Sequence, residues 1–145
     1  MTTYDVSDVA RFIVRKYIED HNPVTNMKLQ KMLYYAWVRY YQRFGEYLFR
    51  DDICAWRYGP VVPKVYREYR IYAGMPILRS EEPAEMDRRT TDFLIEFADG
   101  HKDFTASRLV NLTHRDGYPW KQVYKEGEKY TRIPFDSIIR MESRM

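Results

Sequence analysis

Few side chains in this sequence are spaced to do chemistry. Three histidines, His21, His101 and His114, fall in separate segments without the close spacing that metal ligands require. The lone cysteine, Cys54, could serve as a nucleophile beside His114, but nothing in the chain brings the two together. Next to Trp56 it reads as a small buried side chain. Carboxylates are numerous yet occupy solvent-face positions of helical patterns, so no acid–base pair stands out. A phosphate-binding glycine loop, an HExxH pair and a nucleophile elbow are all missing. No catalytic residue, metal site or cofactor is expected, and the chain reads as a non-enzyme.

Binding chemistry is better represented. A long helical pattern runs from Thr25 or Asn26 to Gly45, and apolar residues from Leu29 and Leu33 to Trp37 and Phe44 cover more than half of its circumference. A helix apolar over so wide an arc needs neighbours on several sides. Its remaining arc holds Lys28, Lys31, Tyr35, Arg39, Gln42 and Arg43, a basic stripe with one aromatic. Gln30 breaks the pattern by sitting at heptad spacing with Leu33, Trp37, Tyr41 and Phe44, inside the apolar arc. A buried glutamine must find partners, since an orphaned amide costs about 1–3 kcal/mol. Backbone of a neighbouring loop, or a side chain such as His114 or Tyr58, is the expected partner. Thr25, Asn26, Lys28, Lys31 and Arg39 after a short turn also outline a helix-turn-helix, which keeps a DNA-binding regulator open.

The elements that must position these residues are helical nearly throughout. Asp5 and Asp8 open a first helix carrying Val6, Val9, Ala10, Ile13 and Tyr17, and Asn22-Pro23 closes it. Residues 53–56 read as a short extended segment, and Tyr58 to Pro63 as a rigid turn. Pro63 then starts a third helix with Val65, Tyr66, Tyr69 and Tyr72 as its buried stripe. Further helices are expected over 87–98, from Thr105 to His114, over 120–124 and from Pro134 onward, with 130–133 extended. The fold class is therefore mainly α: a compact single-domain bundle of about six helices around a central second helix, spanning 1–145.

Composition agrees. At 145 residues the chain can hide roughly two-thirds of its unfolded surface without disulfides or metal. A hydrophobic content of 45% excludes disorder, and one cysteine excludes an internal disulfide. The longest apolar run, Met32 to Val38, is too short to span a bilayer, and residues 1–5 do not resemble a signal peptide. A cytoplasmic protein without membrane contact is expected. Charge is asymmetric: residues 11–70 hold twelve Lys/Arg against six Asp/Glu, while residues 81–103 hold eight acids against three bases. Such halves either steer a charged partner or neutralise each other across the surface. Fourteen tyrosines exceed what a core of this size readily uses, which favours a binding module over a catalyst.

Three strings carry a family resemblance. Thr25-Asn26-Met27-Lys28-Leu29-Gln30-Lys31-Met32-Leu33-Tyr34-Tyr35-Ala36 resembles the signature helix of the Panacea domain, the SocA-like antitoxin or phage-associated protein family. Ile53 to Tyr66, including Trp56-Arg57-Tyr58-Gly59-Pro60, and Leu109 to His114 followed by Pro119-Trp120, fit in the same order. The match frames residues 6–125. It implies a helical antitoxin that neutralises a cognate toxin protein by direct contact, in some cases as an adaptor that delivers the toxin to a protease. A protease or chaperone is thus a further implied partner, and operator DNA remains the alternative. Leu33, Trp56, Tyr58, Gly59, Pro60 and Trp120 read as scaffold, with Gln30 and His114 as a polar tie between helices. Toxin contact is expected on the stripe Lys28, Lys31, Tyr35, Arg39 and Arg43, with the acidic segment 81–103 as second candidate.

Overall fold

A computed structural model describes residues 3–142. Among them the chain forms seven α-helices, one 3-10 turn and a short hairpin: α1 (Val6–Glu19), α2 (Asn26–Phe44), β1 (Cys54–Trp56), β2 (Gly59–Val61), α3 (Pro63–Tyr69), the turn Arg70–Tyr72, α4 (Arg88–Gly100), α5 (Ala106–Thr113), α6 (Pro119–Val123) and α7 (Phe135–Glu142). The fold is mainly α.

Helix starts follow local capping chemistry. Asp5, Thr25, Asp87 and Thr105 each accept a hydrogen bond from a backbone N–H two or three residues on. Pro63 and Pro119 supply the preset first-turn φ of α3 and α6. Gly45 ends α2 in the left-handed region at φ 67°, its N–H on the Tyr41 carbonyl at 2.8 Å.

Helix α2 is the axis of the molecule, with α1, α3, α4, α5 and α7 all packed on it. Leu29, Met32, Leu33, Ala36 and Trp37 are fully buried. The Trp37 ring stacks on Phe135 of α7 with centroids 4.7 Å apart. The hairpin pairs Cys54 with Val61, Ala55 with Pro60 and Trp56 with Gly59, leaving Arg57–Tyr58 as a two-residue turn. Residues 131–133 run along the other edge of β1: Ala55 N–H donates to Thr131 and Ile133 N–H donates to Ile53. The expected extended segments are present, but Gly59–Val61, expected as part of a rigid turn, is a paired strand. A second difference concerns α3, whose Val65 and Tyr69 are buried while Tyr66 is 38% exposed. This short helix rests on its neighbours along one narrow side, so the tyrosine beside that side faces out.

Candidate functional site

The three resembling strings meet in space. Gln30 of α2 is buried, and its carboxamide oxygen accepts the Val62 N–H at 2.8 Å, just after the hairpin. Its amide nitrogen donates to Asn26 Oδ1 at 2.9 Å. The expected tie is therefore to loop backbone; neither His114 nor Tyr58 takes part. One residue on, Lys31 Nζ donates to the Pro60 carbonyl at 3.0 Å. A Cβ at Gly59 would lie 2.7 Å from Thr113 Oγ1 and 2.9 Å from Lys31 Cε, so the hairpin is wedged between α2 and α5. His114, capping α5, stacks flat on Trp120 of α6 with centroids 3.6 Å apart. The Trp120 indole N–H donates to the Trp56 carbonyl at 2.6 Å, closing a ring from α2 through the hairpin to α6 and α5.

Electrostatics in this knot are set by desolvation. Lys31 is only 1% exposed and has no carboxylate partner among the described residues, and burial pulls its pKa down to about 7. His114 is likewise held below the ordinary histidine range, by burial first and then by Lys31 and Lys121. The neutral imidazole suits stacking on Trp120, and its Nε2 has no hydrogen-bond partner among the described residues. The Cys54 thiol is pushed up by burial, the wrong direction for a nucleophile. The arrangement holds α2, the hairpin, α5 and α6 together.

The stripe expected to meet a toxin is divided by the tertiary fold. Lys31 and Tyr35 are buried, Lys31 against Gly59 and Pro60 of the hairpin. Lys28 is half-buried and donates to the His101 and Lys102 carbonyls at 2.9 and 3.3 Å. Arg39 donates to Gln42, and Arg43 pairs with Glu96 at 3.3 Å. No continuous basic surface is left. The acidic segment is also occupied in part: Asp87 caps α4 and accepts from Tyr4 at 2.7 Å, and Asp99 pairs with Lys16 at 2.8 Å. Three bases of the first half, Arg11, Lys16 and Arg43, pair with Glu81, Asp99 and Glu96 of the second.

The sequence signalled that part of the stripe would be covered, though not which part. An apolar arc covering more than half of α2 leaves little room for a solvated stripe, and a lysine can be accommodated where a carbonyl awaits it. The roles of Asn26, Thr113 and the Val62 N–H had none, since each depends on a partner far along the chain.

Comparison with known proteins adds the decisive observation. The sequence profile of the family described as "Antitoxin SocA-like, Panacea domain" matches residues 29–121. The chain belongs to this family. Antitoxin SocA of Caulobacter vibrioides (strain NA1000 / CB15N) is 30% identical over 131 residues, covering 80% of this chain and 68% of that protein. No solved structure matches. The Panacea match starts in α2 and ends in α6, so it encloses Gln30, Lys31, Gly59, Thr113, His114 and Trp120, while α1 and α7 lie outside it.

Proposed function

We propose that this chain is an antitoxin that neutralises a toxin protein by binding it directly. Membership of the SocA-like Panacea family carries the reading. The knot at the centre of the match supports it: its ionisable groups are sealed into scaffold roles, which suits a binding domain better than a catalyst. The alternative, DNA reading by α2, receives no support, because Asn26, Gln30 and Lys31 are buried and a recognition helix must expose such residues to base edges. Among the described residues no helix is long and apolar enough to cross a membrane.

The test is co-expression with the product of the adjacent gene. Growth rescue together with co-purification of the two proteins is the expected result. If cells are rescued without a complex while the toxin's half-life shortens, delivery to a protease replaces direct blockade. A shift of upstream DNA by this chain alone, with no rescue, overturns the antitoxin reading in favour of a regulator.

A further inference from the structure

On the outer side of the knot, the Trp56 side chain stands where the hairpin, α3 and the segment around Lys129 meet. Its ring is edge-on to Tyr66 of α3 with centroids 5.0 Å apart, and its indole N–H donates to the Lys129 carbonyl at 2.6 Å. The hairpin turn Arg57–Tyr58 follows it directly. Tyr58, Tyr66 and Tyr130 are 51, 38 and 79% exposed, and the Arg57 guanidinium lies over the Tyr58 ring at 5.3 Å. Arg67 and Arg70 project from the same stretch as Tyr66, and both are exposed.

Part of the positive charge on the surface is paired with carboxylates and part is not. Arg11, Lys16, Arg43, Lys64, Arg88 and Arg89 each have a carboxylate within 4.0 Å. Arg57, Arg67 and Arg70 have none among the described residues, and the neighbouring acids are committed: Glu68 to Arg11, Asp52 to Arg132, Glu128 to the Thr131 hydroxyl. Three uncompensated guanidinium groups among three exposed phenol rings form the composition most enriched where proteins bind one another. The phenol rings present large area with little rotamer freedom to lose, the guanidinium groups supply the charge, and the hydrogen-bonded Trp56 anchors the segment that carries them.

We propose that this face, centred on Trp56 and built from Arg57, Tyr58, Tyr66, Arg67, Arg70 and Tyr130, docks an acidic, aromatic-bearing segment of the partner toxin. The proposal rests on the antitoxin reading for the identity of the partner; the chemistry of the surface does not depend on it. Met27, 43% exposed, follows the Asn26 whose amide holds the Tyr66 carbonyl. The exposed rings offer apolar contact that a protein segment can use and a phosphate backbone cannot. Association is then steered by charge, and the rings set the lifetime of the complex.

The experiment uses the full chain and four probes: a random Glu–Tyr copolymer, its Lys–Tyr counterpart, mixed-sequence duplex DNA, and the purified product of the adjacent gene. The charge-reversed variant carries Arg57→Glu, Arg67→Glu and Arg70→Glu; a control carries lysine at the same three positions. All three side chains are exposed, so the melting temperature should stay within a few degrees of the parent's. The Glu–Tyr copolymer should bind the parent and the lysine control, and bind the charge-reversed variant about tenfold or more weakly. The Lys–Tyr copolymer should not compete. Equal binding of the Glu–Tyr copolymer to parent and reversed variant overturns the proposal, as does tighter binding of duplex DNA at the same salt. With the adjacent gene product, rescue by the parent but not by the reversed variant supports the surface. Rescue by both overturns the surface and leaves the antitoxin reading standing. Failure of the parent itself tells against the antitoxin reading, and the copolymer and DNA measurements then decide the surface alone.

Discussion

Lys31 concentrates the energetics of the knot at one atom. Its ammonium has been taken out of water and given one backbone carbonyl at 3.0 Å, so the neutral amine is favoured in the folded chain. The linkage sign follows from the depressed pKa. Between about 7 in the folded protein and the usual value near 10.4 after unfolding, the unfolded chain binds more protons, so stability rises with pH through that window. The penalty is present in full below pH 7. Buried tyrosines such as Tyr17 and Tyr34 have raised pKa values and act in the opposite sense at higher pH, so the clean window is pH 7–9. Across it a slope of about 1.4 kcal/mol per pH unit is the upper expectation for one group. Lys31→Met keeps the packing and removes the titration, so urea melts of this variant should flatten against pH. A variant as pH-dependent as the parent would place the charge elsewhere.

At the scale of elements, the hairpin acts as a wedge whose tightest point is Gly59. Its φ of 112° lies where a side chain is strained, and a Cβ there would press on both Thr113 and Lys31. Gly59→Ala should therefore combine backbone strain with a clash, for about 3 kcal/mol or more of lost stability by denaturant titration. Gly127 is the control: its φ of 84° is also positive, but nothing lies within 4 Å of a Cβ there. Gly127→Ala should lose about 1 kcal/mol, from the backbone alone. If the two variants lose equal stability, the close approach at Gly59 contributes nothing.

For the whole molecule, both ends of the described residues are tied into its centre. Tyr4 donates its N–H to the Leu48 carbonyl, and its hydroxyl reaches Asp87. At the other end Phe135 stacks on Trp37, Tyr34 donates to Glu142 at 2.5 Å, and Ile133 and Ile138 are buried. Interlocking on this scale leads us to expect one cooperative unit, with far- and near-ultraviolet circular dichroism tracing a single coincident transition. Deleting residues 128–145 removes the segment beside β1 as well as α7, and should lower the melting temperature by ten degrees or more. Two separated transitions in the full chain would instead divide it into independently folding parts.

What could be read from the residues in order was what short-range chemistry controls. A cap needs only the next three residues, a glycine terminus only its own φ, and an amphipathic arc only its periodicity; Thr25, Gly45 and the burial of Leu29, Leu33 and Trp37 were legible for those reasons. The expectation that Gln30 would seek loop backbone was legible too, because an apolar arc offers an amide no partner of its own. Which arc of α2 would meet solvent was not. That depended on the hairpin, some thirty residues later, and on α5, some eighty residues later, packing on α2. The tyrosines show the same dependence: Tyr17 donates to Ala98, Tyr40 bonds Thr90, and Tyr34 donates to Glu142. Five of the fourteen are buried. Periodicity measures how much of a helix wants to be covered, but the covering element is chosen by packing between distant segments, so tertiary structure alone decided which cations and rings remained for a partner.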